Sequence, residues 1–93
     1  MTKADLVEEV ASVTGLTKTD TAMVFESFLK AISNALIRGN NIEIRGFGRF
    51  KVKRRKARVA RNPRTGEAVP IPERNVPIFQ PSNFLKNRVA RGE

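Results

Sequence analysis

Between Arg45 and Arg64 the chain carries ten Lys or Arg and no Asp or Glu, and the run closes on the turn-forming stretch Asn62-Pro63-Arg64-Thr65-Gly66. So many like charges cannot enter a packed interior unpaired. With apolar Phe50 and Val52 still alternating at its start, the segment reads as a protruding two-stranded arm that lies along a polyanion. The charge is sharply segregated. Residues 1–44 set Lys3, Lys18, Lys30 and Arg38 against Asp5, Glu8, Glu9, Asp20, Glu26 and Glu43, so the whole formal charge of +9 arises in the second half. Concentrated like charge disfavours folding, which points to a partner of opposite sign. Nucleic acid fits, because each neutralised phosphate releases a condensed counterion. A solubilising surface is the blander reading, but such surfaces mix signs and this one does not.

Ninety-three residues make one small domain, and a chain of this size hides only about 60–65% of the surface its unfolded form exposes. An arm buries nothing, so the remaining Phe, Leu, Ile and Val make a thin core, and there is no cysteine or metal-ligand set to staple it. Association, most simply as a symmetric dimer, is the remaining route to stability. No stretch approaches a membrane span and the start has no apolar signal region, so the expected location is the cytoplasm, and no membrane partner is expected.

Two helices lead the chain. Thr2 followed by Asp5 has the form of a capping box, acidic Asp5, Glu8 and Glu9 suit the positive end of a helix dipole, and Leu6, Val7, Val10 and Val13 form an apolar stripe ended by Gly15. Thr17 with Asp20 repeats the signature. Val24, Phe25, Phe28, Leu29, Ile32, Ala35 and Leu36 then recur at helical spacing until Gly39. The face is too wide for one short neighbour to cover, so this helical hairpin must bury itself against something more, a partner subunit being the simplest.

After Asn40-Asn41 the period changes to two. Ile42 and Ile44 share one side, Phe50 and Val52 resume it, and Arg49, Lys51 and Lys53 take the other, giving one core face and one cationic face. Past Val52 the inward positions become Arg54 and Lys56, so the strand leaves the core. Residues 53–62 span about 33 Å if extended, enough to reach around a duplex. The return strand, residues 67–79, contains Pro70 and Pro72, whose missing donors fall on one free edge. Pro77 has the other parity and is expected to mark a bend or bulge where the arm rejoins the body. Pro81-Ser82 opens a short last helix bearing Phe84, Leu85 and Val89, with Lys86, Arg88 and Arg91 exposed.

Gly46-Phe47-Gly48-Arg49-Phe50, then Arg61-Asn62-Pro63-Arg64-Thr65-Gly66, and later Val76 to Phe79 with Leu85-Lys86, resemble the bacterial histone-like DNA-binding family of the HU and integration-host-factor proteins. The likeness spans essentially the whole chain. It implies an α+β fold: a helical dimerisation base over residues 1–39, a body over 40–52 and 77–93 comprising a three-stranded antiparallel sheet and a short C-terminal helix, and a β-arm over 53–76. It implies an intertwined dimer, homodimeric or paired with a paralogue, that bends and compacts double-stranded DNA in the nucleoid. In the family, arms enter the minor groove and a tip proline wedges between base pairs, a case for which these proteins are themselves a reference, so the mechanism comes with the likeness. Carried over by position, Pro63 is the wedge; Lys51, Lys53, Arg55, Arg58, Arg61, Asn62 and Arg64 line the arm's DNA surface. Gly46, Phe47 and Gly48 form the turn that approaches phosphates, and Lys86 adds a flanking contact.

The chain departs from the family at three places. Val59-Ala60 replace the usual glycine before Arg61, where left-handed backbone would disfavour Ala60. Asn83 stands where a basic residue is common, and Arg49 where a small polar one is. No enzyme is read here: there is no His, no Cys and no Gly-rich phosphate loop, and no cofactor or small-molecule substrate is expected. The rival reading is RNA binding, but RNA platforms expose aromatic side chains and residues 53–76 contain none. Within the family, a sequence-preferring heterodimer subunit stands beside the nonspecific homodimer, since preference would come from site deformability.

Overall fold

The computed structural model describes residues 1–93, and its first helix, α1 (Lys3–Thr14), starts on the capping box anticipated at Thr2. The Thr2 hydroxyl accepts from the Asp5 amide, while an Asp5 carboxylate oxygen accepts from the Thr2 amide at 2.8 Å. Gly15 ends the helix with a φ of 76°, a left-handed cap that glycine adopts without strain. The second helix, α2 (Lys18–Ile37), is capped by Thr17, whose hydroxyl accepts from the Asp20 amide at 3.1 Å. Ion pairs Lys3–Glu26 and Lys18–Glu8 join the two helices on their exposed sides.

The chain forms two compact units, Met1–Ala35 and Leu36–Glu93. In the first, only Ala11 and Thr21 are buried, both small, while Val10, Val13, Val24, Phe28 and Leu29 remain exposed. The chain as a whole exposes 7784 Å². A folded monomer of its mass would expose about 5,400 Å². The difference, roughly 2,400 Å², includes the projecting arm, whose residues are almost all exposed, as well as the uncovered helical face.

The second unit is built on a three-stranded antiparallel sheet in the order β1 (Ile42–Ile44), β2 (Gly48–Arg55) and, later in the chain, β5 (Arg74–Pro81). Ile42 lies opposite Phe50, and Phe50 opposite Phe79, so the apolar alternation forms one face as expected. Phe79 packs its ring on both Phe50 and Phe47, with centroids 4.9 and 5.2 Å apart. Gly48 is buried against this cluster; a Cβ there would meet the Phe79 ring at 2.7 Å. The opposite face carries Lys51, Lys53 and Arg55 facing Ile78, Val76 and Arg74. Ser82 caps α3 (Asn83–Arg91), its hydroxyl accepting from the Leu85 amide at 3.1 Å. No helix is long and apolar enough to cross a membrane.

The arm's outer half is a separate two-stranded ladder, β3 (Arg58–Arg61) with β4 (Ala68–Ile71), so the return strand is not continuous over residues 67–79. The break falls at Pro72-Glu73, and the bend expected at Pro77 is not there: Pro77 pairs in register with Val52 inside an unbroken ladder. The reason is hydrogen-bond parity. The Val52 amide points away from β5, donating to the Asn41 side chain at 3.1 Å. Val52 and Pro77 thus form a pair that exchanges no backbone bonds, and the ring nitrogen of Pro77 faces the free edge. In the outer ladder the Asn62 amide donates to the Glu67 carbonyl at 2.9 Å, which puts Pro70 at a non-bonded position too, but in the opposite phase. One uninterrupted ladder cannot satisfy both prolines. The phase therefore changes between them, while the residue-for-residue pairing is the same on both sides of the gap, with no inserted bulge residue.

Candidate nucleic-acid interface

Charge on the strand unit is left largely uncompensated. Of the ten basic residues between Arg45 and Arg64, only two have a carboxylate within 4 Å: Arg49 with Glu43 at 3.5 Å and Arg54 with Glu73 at 2.9 Å. Lys51, Lys53 and Arg55 lie on one face of β2, spaced two residues apart. That spacing is about 6.8 Å, close to two nucleotide rises along one DNA strand. Arg54 stands on the other face, held by Glu73 and by Asn75, whose side-chain oxygen accepts at 3.3 Å.

Arg58 and Arg61 are three residues apart in β3 and so lie on opposite faces of the outer ladder. The arm thus presents a cation on each flank. At the tip, the Asn62 side chain accepts from the Arg64 amide at 2.9 Å, its carbonyl from the Gly66 amide at 2.8 Å, and Gly66 takes a φ of 72°. Arg61 reaches round to the Gly66 carbonyl at 3.2 Å. Asn62 is therefore occupied in shaping the turn, and Pro63 is left exposed at its apex. Ala60 has no left-handed backbone; it pairs with Val69 as an ordinary strand residue.

At the base of the sheet, Gly46 has a φ of 79°, and its carbonyl accepts from the Ser82 hydroxyl at 3.1 Å. The Phe47 amide donates to Ile44 and its carbonyl accepts from the Ser82 amide, so both backbone groups of Phe47 are used inside the fold. Glu43, Arg45, Gly46, Gly48, Arg49 and Asn83 line a hollow at this turn. On α3, Arg88 and Arg91 both reach Glu93, whereas Lys86 is exposed without an ion pair. Sequence reasoning passed over Arg74, which lies directly opposite Arg55. Only the strand register reveals it.

The comparisons with known proteins agree with this geometry. The family model described as "Bacterial DNA-binding protein" matches residues 1–90. Integration host factor subunit alpha of Ruegeria sp. (strain TM1040) is 47% identical over 99% of this chain and 92% of its own, and that of Paracoccus denitrificans is 46% identical over 99% and 90%. Among solved structures, an Anabaena HU–DNA cocrystal superposes with a TM-score of 0.88 at 37% identity, covering 97% of this chain and 98% of that one. HU from Thermotoga maritima gives 0.69 at 29% identity, covering 96% and 98%. On these grounds the chain belongs to the family of bacterial DNA-binding proteins.

Proposed function

We propose that this protein is an architectural double-stranded DNA-binding protein that bends and compacts DNA by holding it between paired β-arms, reading shape and charge. The observation that carries the reading is the arm itself: a ladder with cations on both flanks and an exposed proline at its apex. The minor groove is only about 6 Å wide and nearly degenerate in its code, so basic side chains inside it sense width and potential. Arg58 and Arg61, on opposite faces, would each meet one sugar-phosphate wall. Lys51, Lys53 and Arg55 would follow the backbone below the arm, with Arg64 beside the wedge and Lys86 and the Gly46–Gly48 turn flanking it. Pro63 would slide between two base pairs, its flat apolar ring replacing part of the broken stack; unstacking costs a few kcal/mol per step, offset by phosphate contacts that the bent duplex gains.

The helical region, residues 1–39, serves as the dimerisation base, residues 40–52 with 77–93 as the body, and 53–76 as the arm. The relatives named as alpha subunits support a second reading within the same chemistry, in which the partner is a paralogous chain and the dimer prefers deformable sites. In either assembly the protein acts in the nucleoid of the cytoplasm and catalyses no reaction. Pro63→Ala tests the wedge. Energy transfer between labelled duplex ends should show a clearly smaller bend with affinity lowered much less; an unchanged bend would refute the wedge. Tighter binding to duplex RNA than to duplex DNA of equal length would remove the DNA reading as a whole.

A further inference from the structure

We propose that Arg74 and Arg55 form a phosphate clamp where the arm's ladder breaks, a site that rests on the DNA-binding reading above and adds Arg74 to it. The two are the last opposed pair of the body ladder and share a face. Like charges directly opposite one another destabilise a strand pair, so the arrangement needs an anion. The chain has one next door: Glu73 adjoins Arg74 in sequence. Its carboxylate, however, accepts from the Arg54 Nε at 2.9 Å, beside Asn75, and Arg54 and Asn75 are the opposed pair of the other face. Arg74 itself makes only a long bond to the Pro72 carbonyl, 3.4 Å.

Arg55, Lys56, Ala57, Arg58 and Arg74 line one hollow at the interruption. Four cations thus surround a concavity with no carboxylate among them, and Arg74 is half-buried within it. Two planar guanidinium forks suit the two free oxygens of a phosphodiester. The position is also where duplex backbone would pass from the body sheet onto the arm. Arg54 acts as a positioning residue: by holding Glu73 on the far face it keeps the clamp open.

The test is anisotropy of labelled duplex DNA with the full chain across a salt series, alongside thermal melting to confirm folding. For Arg74→Gln the magnitude of the log–log salt slope should drop by about one, with affinity about tenfold weaker. Arg38→Gln, which removes one charge from an exposed turn outside the set, should change neither as much. Arg54→Gln should weaken binding by releasing Glu73 toward Arg74, and adding Glu73→Gln should restore it. Equal losses for Arg74→Gln and Arg38→Gln, or no rescue in the double variant, would overturn the clamp while leaving DNA binding intact. Failure of the unaltered chain to bind duplex DNA would overturn the reading beneath it as well.

Discussion

The two units of this chain are unfinished in different ways. Met1–Ala35 is nearly balanced in charge but leaves Val10, Val13, Val24, Phe28 and Leu29 in solvent, with only Ala11 and Thr21 buried. Leu36–Glu93 gathers its own aromatic cluster of Phe47, Phe50 and Phe79, yet leaves most of its cations unpaired. One lacks apolar cover, the other lacks counter-charge. An uncovered apolar face is completed by another apolar face, and uncompensated charge by a polyanion, so the contrast assigns the two surfaces to two different partners: a second subunit and nucleic acid.

The largest effect should come from breaking the first half of that contrast. Phe28 is 52% exposed in the single chain, and at a free surface a change there would be worth at most about 0.5 kcal/mol. If a second subunit covers it, removing the ring alone costs about 3–5 kcal/mol, and a buried carboxylate adds to that. Phe28→Asp should therefore abolish the dimer in sedimentation equilibrium and most of the helical circular dichroism. A folded monomer with near-normal helicity would show that the helical unit needs no partner.

Gly48→Ala probes the other half, the claim that the strand unit supplies its own packing. The added methyl would lie 2.7 Å from the Phe79 ring and the Gln80 carbonyl, and crowding of this kind costs about 1–3 kcal/mol. The expected result is a dimer that melts several degrees earlier. An unaltered melting temperature would mean that Phe79 is free to move aside and that the cluster is not what holds β2 against β5.

Elements governed by local rules were legible in the sequence. Thr2, Gly15, Thr17, Gly39 and Ser82 mark helix ends through bonds to backbone a few residues away, and period-two alternation put Phe50 and Phe79 on one face. What was not legible depended on register. That Pro70 and Pro77 have opposite parity was visible, but which of the two a ladder accommodates without bending depends on which amides face the neighbouring strand, and the Val52–Asn41 bond decides that. Arg74 was hidden for the same reason. Its significance comes from lying opposite Arg55 while Glu73 is held away by Arg54, and neither relation is local in sequence.

Ala60 offers the smallest effect and the finest discrimination. The family resemblance implies glycine at this position and with it a left-handed backbone that alanine would strain; the structure instead pairs Ala60 with Val69 in a regular ladder with no positive φ. The two views differ in sign. If alanine were strained, Ala60→Gly would relieve it and protect the arm's amides from hydrogen exchange. With Ala60 in ordinary extended backbone, glycine only enlarges the conformational freedom of the open state, weakening the β3–β4 ladder by about 0.5–1 kcal/mol. Exchange at the ladder-bonded amides of Arg58, Ala60, Val69 and Ile71 should then quicken about two- to fivefold, while amides of the body sheet, on the far side of the break at Pro72-Glu73, keep their rates. Quickening that spreads into β2 and β5 would show that the two ladders open together and that the proline-set interruption does not separate the arm from the body.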